Sequence, residues 1–64
     1  MSSPEPLPRI GAPATLALAG IGITSLDQLA GRSRSDLARL HGMGPKALGI
    51  LDEALAQRGM HLGD

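Results

Sequence analysis

Apolar positions recur along this chain in three- and four-residue steps, and a glycine closes each run. Pro13 stands where a first helix opens, and Leu16, Leu18 and Ala19 carry that helix to Gly20. Thr24-x-x-Asp27 is a capping signature ahead of a short helix through Leu26 and Leu29, stopped at Gly31. Ser33-x-x-Asp36 repeats the signature and opens a third helix, with Leu37 and Leu40 on one face and Gly42 as its stop. The longest pattern runs from Pro45 to about Arg58. Its apolar set, Ala47, Leu48, Leu51, Ala54 and Leu55, makes one buried stripe. Gly59 ends this helix, with Met60 placed to fold back on its last turn in a Schellman stop. Gly49 in mid-helix costs about 1 kcal/mol against alanine, which predicts close helix packing at that point.

No stretch alternates with period two, and β-branched residues are few. The expected fold is all-α, a compact bundle of four or five short helices. With 64 residues the chain makes one small domain, burying only about 60% of its unfolded surface. Neither an aromatic residue nor a cysteine is present, so stability has to come from dense Leu and Ala packing or from a second copy. Met1 to Arg9 is rich in Pro and Ser and reads as a flexible tail (1–9) before a domain spanning 10–64. The N-terminus lacks the basic and apolar regions of a signal peptide, and no apolar run approaches the roughly 20 residues of a membrane span. A cytoplasmic location is expected, with no membrane partner.

The stretch Leu40-His41-Gly42-Met43-Gly44-Pro45-Lys46-Ala47 carries the candidate chemistry. Gly42 can take the left-handed conformation that ends a helix, and Gly44 lets another backbone come close. Pro45 suits a first helical turn. The free amides of that turn, the positive end of the helix dipole and Lys46 together form an anion site able to grip a phosphate without reading a base. Leu18-Ala19-Gly20-Ile21-Gly22-Ile23 is a weaker copy, its Gly-apolar-Gly core 22 positions earlier, so an internal duplication is expected. No cation lies close to the first copy. Gly20 and Gly22 are therefore read as a structural hairpin, with Ile21 and Ile23 packing.

The formal net charge is zero, which counts against strong sequence-blind nucleic-acid binding. Its distribution is uneven: Arg32, Arg34, Arg39 and Lys46 stand against Asp36 alone between Gly31 and Lys46, an excess of three. These arginines read either as a solvated face or as auxiliary cations extending a phosphate track. The backbone-binding set is then Gly42, Met43, Gly44, Lys46 and Ala47. Met43 either tucks inward to hold the loop or stays exposed as a contact.

Two Gly-apolar-Gly hairpins between helices resemble the tandem helix-hairpin-helix family, a SAM-like fold. From Leu16 onward the chain is also similar to the family of C-terminal domains of the bacterial RNA polymerase alpha subunit. Ile23-Thr24-Ser25-Leu26-Asp27-Gln28-Leu29 matches the opening of that domain's middle helix, and Met43-Gly44-Pro45-Lys46 its glycine-lysine hairpin. Leu55-Ala56-Gln57-Arg58-Gly59-Met60-His61-Leu62-Gly63 follows its terminal pattern. The resemblance implies a helical domain that binds DNA backbone beside a narrowed minor groove and docks protein partners. It also shows departures. Pro13 and Leu16 stand where that family has a groove-entering arginine and a supporting asparagine, and Ala47 replaces the serine after the lysine.

Catalysis is not expected. His41 and His61 lack metal-ligand spacing from any other ligand, and Asp52 and Glu53 are adjacent, about 100° apart on a helix. Neither a metal nor a cofactor is implied. Two functions follow: non-specific binding of double-stranded DNA through the second hairpin, which would place the protein at the nucleoid, or protein interaction on the same scaffold, with a transcription or repair partner or as a homodimer.

Overall fold

The computed structural model describes residues 6–63. Three α-helices and one short 3-10 helix stand where four or five short helices are expected: α1 (Ala12–Gly20), the 3-10 helix (Leu26–Leu29), α2 (Arg34–Ala38) and α3 (Pro45–Ala56). Among the described residues no strand forms, only two isolated β-bridges.

Helices α1 and α3 end where glycine permits a reversal, whereas α2 closes at Ala38, four residues before Gly42, its expected stop. At the end of α1, Gly22 has a φ of 82°, Ile23 N–H donates to Leu18 O at 2.9 Å and Gly22 N–H to Ala19 O at 3.0 Å. This is a Schellman stop, and it seals the contact of Leu18 with Ile23, both fully buried. The expected stop after α3 has the same form, with Met60 N–H donating to Leu55 O at 2.9 Å and Gly59 N–H to Ala56 O at 3.0 Å. Helix α3 closes at Ala56, two residues short of the expected end, and a turn covers the rest.

The helix starts differ in one respect from expectation. Ser33 Oγ accepts from Asp36 N–H at 3.2 Å, as the capping signature predicts. In the earlier helix the cap is Ser25, not Thr24, and the partner is Gln28, not Asp27: Gln28 Oε1 accepts from the Ser25 and Thr24 amides at 3.1 and 2.6 Å. The longer side chain reaches back over a tight turn, while Asp27 lies in the first turn, toward the positive dipole end.

Leu18, Ile23, Leu29, Leu37, Leu51 and Leu55 form the dry centre, each stabilising by about 1.5–3 kcal/mol on burial. The stripe of α3 packs on the 3-10 helix and α2. The chain ends brace this core. Of the expected 1–9 tail, residues 1–5 lie outside the described part, while Pro6 bridges to Ser25 and Leu7 packs against the core. At the other end Gly63 runs beside residues 31–34, its N–H donating to Arg32 O at 2.7 Å and its carbonyl accepting from Arg34 N–H at 3.0 Å. No buried polar side-chain atom among the described residues lacks a partner.

Two glycines have opposite standing. Gly42 has a φ of 93°, and a Cβ there would lie 2.8 Å from the Pro13 carbonyl oxygen. Gly49, expected at a close helix contact, is exposed and would place a Cβ in open space. It makes no close helix contact. Gly49→Ala is expected to stabilise the fold by about 1 kcal/mol, raising the melting temperature by about 4–8 °C. Gly42→Ala is expected to destabilise it by more than about 2 kcal/mol, through both dihedral strain and backbone clash. Thermal and urea denaturation check both. Equal stabilities of Gly42→Ala and the parent would refute the second.

Candidate nucleic-acid interface

The second hairpin is built from a turn rather than a helical stop. Met43 N–H donates to Leu40 O at 3.0 Å, after Leu40 has already left α2. The contact of Gly42 with Pro13 presses this turn onto the first turn of α1. Met43 is 7% exposed and belongs to the core. Of the two orientations open to it, the inward one is observed, so its side chain anchors the loop and is not a contact. Ala47 is likewise buried and can offer a ligand only its amide.

Gly44 is the N-cap of α3 in an extended conformation (φ −99°, ψ 172°), with no atom within 4 Å of an added Cβ. It is needed for no left-handed dihedral; what it supplies is open approach. Pro45 follows at the first helical position, with neither a side-chain cap nor an acidic residue in the first turn. The first backbone bond into the helix runs from Leu48 N–H to Gly44 O at 3.1 Å, leaving the Lys46 and Ala47 amides outside the ladder. Lys46 is exposed and forms no ion pair among the described residues.

The start of α1 shares these properties. Its N-cap is Gly11, Pro13 lies in the first turn, and neither a side-chain cap nor an acidic residue is present. Arg9, two residues before that cap, is exposed. The contact of Gly42 with Pro13 thus sets the turn that leads into α3 against the first turn of α1; both helix starts lack a side-chain cap, and Arg9 and Lys46 are the basic residues within two residues of their N-caps. On sequence grounds Arg9 belongs to the 1–9 tail. The only signal pointing to it was the shared Gly and Pro at the two helix starts.

The first hairpin differs in kind. Its outgoing amides, Thr24 and Ser25, are satisfied by Gln28 Oε1, and Gln28 N–H donates to Ser25 O at 3.3 Å. Gly20 is the last residue of α1 with no atom near its Cβ position, and the left-handed role falls to Gly22. The repeated unit is a left-handed glycine followed by a buried apolar residue. It pairs Gly22-Ile23 with Gly42-Met43, 20 positions apart by number rather than 22. Ile23 packs as expected; Ile21 does not, being 42% exposed.

The auxiliary cations divide. Arg34 is committed to the fold through an ion pair with Asp52 that ties α2 to α3. Counting Asp52 lowers the local positive excess from three to two. Arg39 pairs with Asp36 at 3.5 Å, but both side chains are more than 70% exposed, so the pair adds little and leaves the guanidinium in solvent. Arg32 forms no ion pair among the described residues and lines a groove of about 250 Å³ with Ile21, Ser33, Asp36, Leu37 and Leu40. The histidines remain apart from any such grouping: both are exposed, and His61 Nδ1 lies 3.1 Å from Leu62 O. Among the described residues no group of His, Cys, Asp or Glu could hold a metal ion, and no helix is long and apolar enough to cross a membrane. No protein-family model matches the sequence, and neither a curated protein nor a solved structure matches it.

Proposed function

We propose that this chain is a small tandem helix-hairpin-helix module that grips the phosphate backbone of duplex DNA through Gly42 to Ala47. The observation that carries the reading is the contrast between the two hairpins. One has a side chain, Gln28, folded over its Thr24 and Ser25 amides, whereas the other has no side-chain cap and presents the Lys46 and Ala47 amides behind an open, extended Gly44. Charge adds to this: Lys46 stands at the positive end of α3, and Arg9 stands before the neighbouring start of α1. Pro13, in the place of a groove-entering arginine, has no donor to read a base, so the grip is non-specific and salt-sensitive. Affinity falls in the range of about 10⁻⁴ to 10⁻⁶ M at physiological salt. Such a role would place the protein at the nucleoid.

Lys46→Ala is expected to weaken duplex binding about equally on all sequences and to lower the log–log salt slope by roughly one unit. Fluorescence anisotropy over a salt series measures both. Unchanged binding by folded Lys46→Ala at low salt would end the proposal.

Gly44→Val makes the sharper test, because the extended backbone there accepts a branched residue. Its stability is expected to fall by no more than about 1 kcal/mol, the difference in capping preference. Binding is expected to drop at least about tenfold as the side chain blocks phosphate approach. Gly22→Val, at a left-handed position, is expected to do the opposite: lose stability while its folded fraction still binds. Denaturation and anisotropy on the same samples separate the two effects, and equal DNA affinity of Gly44→Val and the parent would refute the site.

A further inference from the structure

Helix α1 is apolar around its whole circumference, yet only one side of it is covered. Ala14 and Leu18 face the core, while Leu16, on the opposite side, is 70% exposed. A helix solvated on its outer face ordinarily carries charge there, as α3 does with Lys46 and Glu53. From Ile10 to Leu26 the chain carries none. The polar group on that stretch of helix is also spoken for: Thr15 Oγ1 donates to Gly11 O at 2.9 Å, so covering the face strands no hydroxyl donor.

We propose that the outer face of α1 is a self-association surface, occupied by the same face of a second copy in a two-fold, antiparallel contact centred on Leu16. Position and charge both select this occupant. Leu16 is the midpoint of Ala12–Gly20, and the residues one turn to either side, Ala12 and Gly20, are small. An antiparallel pairing about Leu16 therefore sets Leu16 against its symmetry mate and each Ala12 against a Gly20, with room for close approach. A charged surface docked on this face would be stripped of water with nothing to pair it. A second α1 brings an equally uncharged face, and the chain's zero net charge adds no repulsion between copies. Nine residues make a helix about 14 Å long, which covers well under the roughly 800 Å² per partner of a stable interface. The dimer is accordingly weak and reversible, populated at high concentration. The contact needs no DNA.

Sedimentation equilibrium, from about 10 μM to about 1 mM protein without DNA, tests it. The average mass is expected to rise from 6.5 kDa toward twice that value, with dilution-dependent amide shifts confined to Ala12–Gly20. Leu16→Glu and Leu16→Lys are each expected to lower the association constant at least about tenfold. Because the side chain is exposed, circular dichroism should show the helix content unchanged. An equimolar mixture of the two variants is expected to regain association, since the two-fold places the new charges opposite one another. A constant 6.5 kDa mass over the whole series would overturn the proposal. So would association that neither substitution weakens, or shifts mapping instead to the groove of Ile21, Arg32, Leu37 and Leu40.

Discussion

Gly42 lies against the carbonyl of Pro13 so closely that no side chain fits between them, and the arrangement of the candidate surface follows from that contact. The turn after α2 has to reverse with a positive φ and at the same point meet the first turn of α1. Only glycine satisfies both demands. The result sets the turn that leads into α3 against the first turn of α1. Met43, next in line, is driven into the core and fixes the loop from beneath. Neither helix start has a side-chain cap; with glycine at both N-caps the chain forgoes only about a few tenths of a kcal/mol at each.

The rest of the molecule is organised to hold a short chain around a core of leucine and isoleucine without rings or disulfides. Two Schellman stops turn the chain back on itself, and each closes an apolar contact while satisfying carbonyls. Two ion pairs lie between elements: Arg34 with Asp52 joins α2 to α3, and Arg58 with Asp27 at 3.7 Å joins the end of α3 to the 3-10 helix. Gly63 approaches Gly31 so nearly that a Cβ there would lie 2.9 Å from its carbonyl oxygen. A second glycine contact thus ties the C-terminal segment to the start of α2.

What the sequence made legible was local. Pro13 and Pro45 placed the starts of α1 and α3, the Ser33 cap that of α2, and Gly59 the stop after α3, because backbone dihedrals are decided within a few residues. The cap of the 3-10 helix was misplaced by one residue because the reach of Gln28 depends on the tightness of a turn that composition does not reveal. Gly49 was misread because whether a helix face meets a neighbour is a matter of tertiary arrangement. Arg34 looked like a surface cation for the same reason, its partner lying 18 residues away. Of the candidate site, Gly44 and Lys46 could be read directly. The inward turn of Met43 and the placing of Arg9 could not, since both depend on the contact between residues 13 and 42.

Gln28 gives the two hairpins a common chemical description. Its carboxamide oxygen sits on the Thr24 and Ser25 amides as an external oxyanion would, so the first turn carries a ligand of its own. Tethered three and four residues away, that oxygen competes at an effective concentration of millimolar or more, and a free phosphate that binds weakly cannot displace it. The second turn has no such resident acceptor. One side chain, present in one copy and missing from the other, is thus enough to set an occupied turn beside a vacant one within the same small fold.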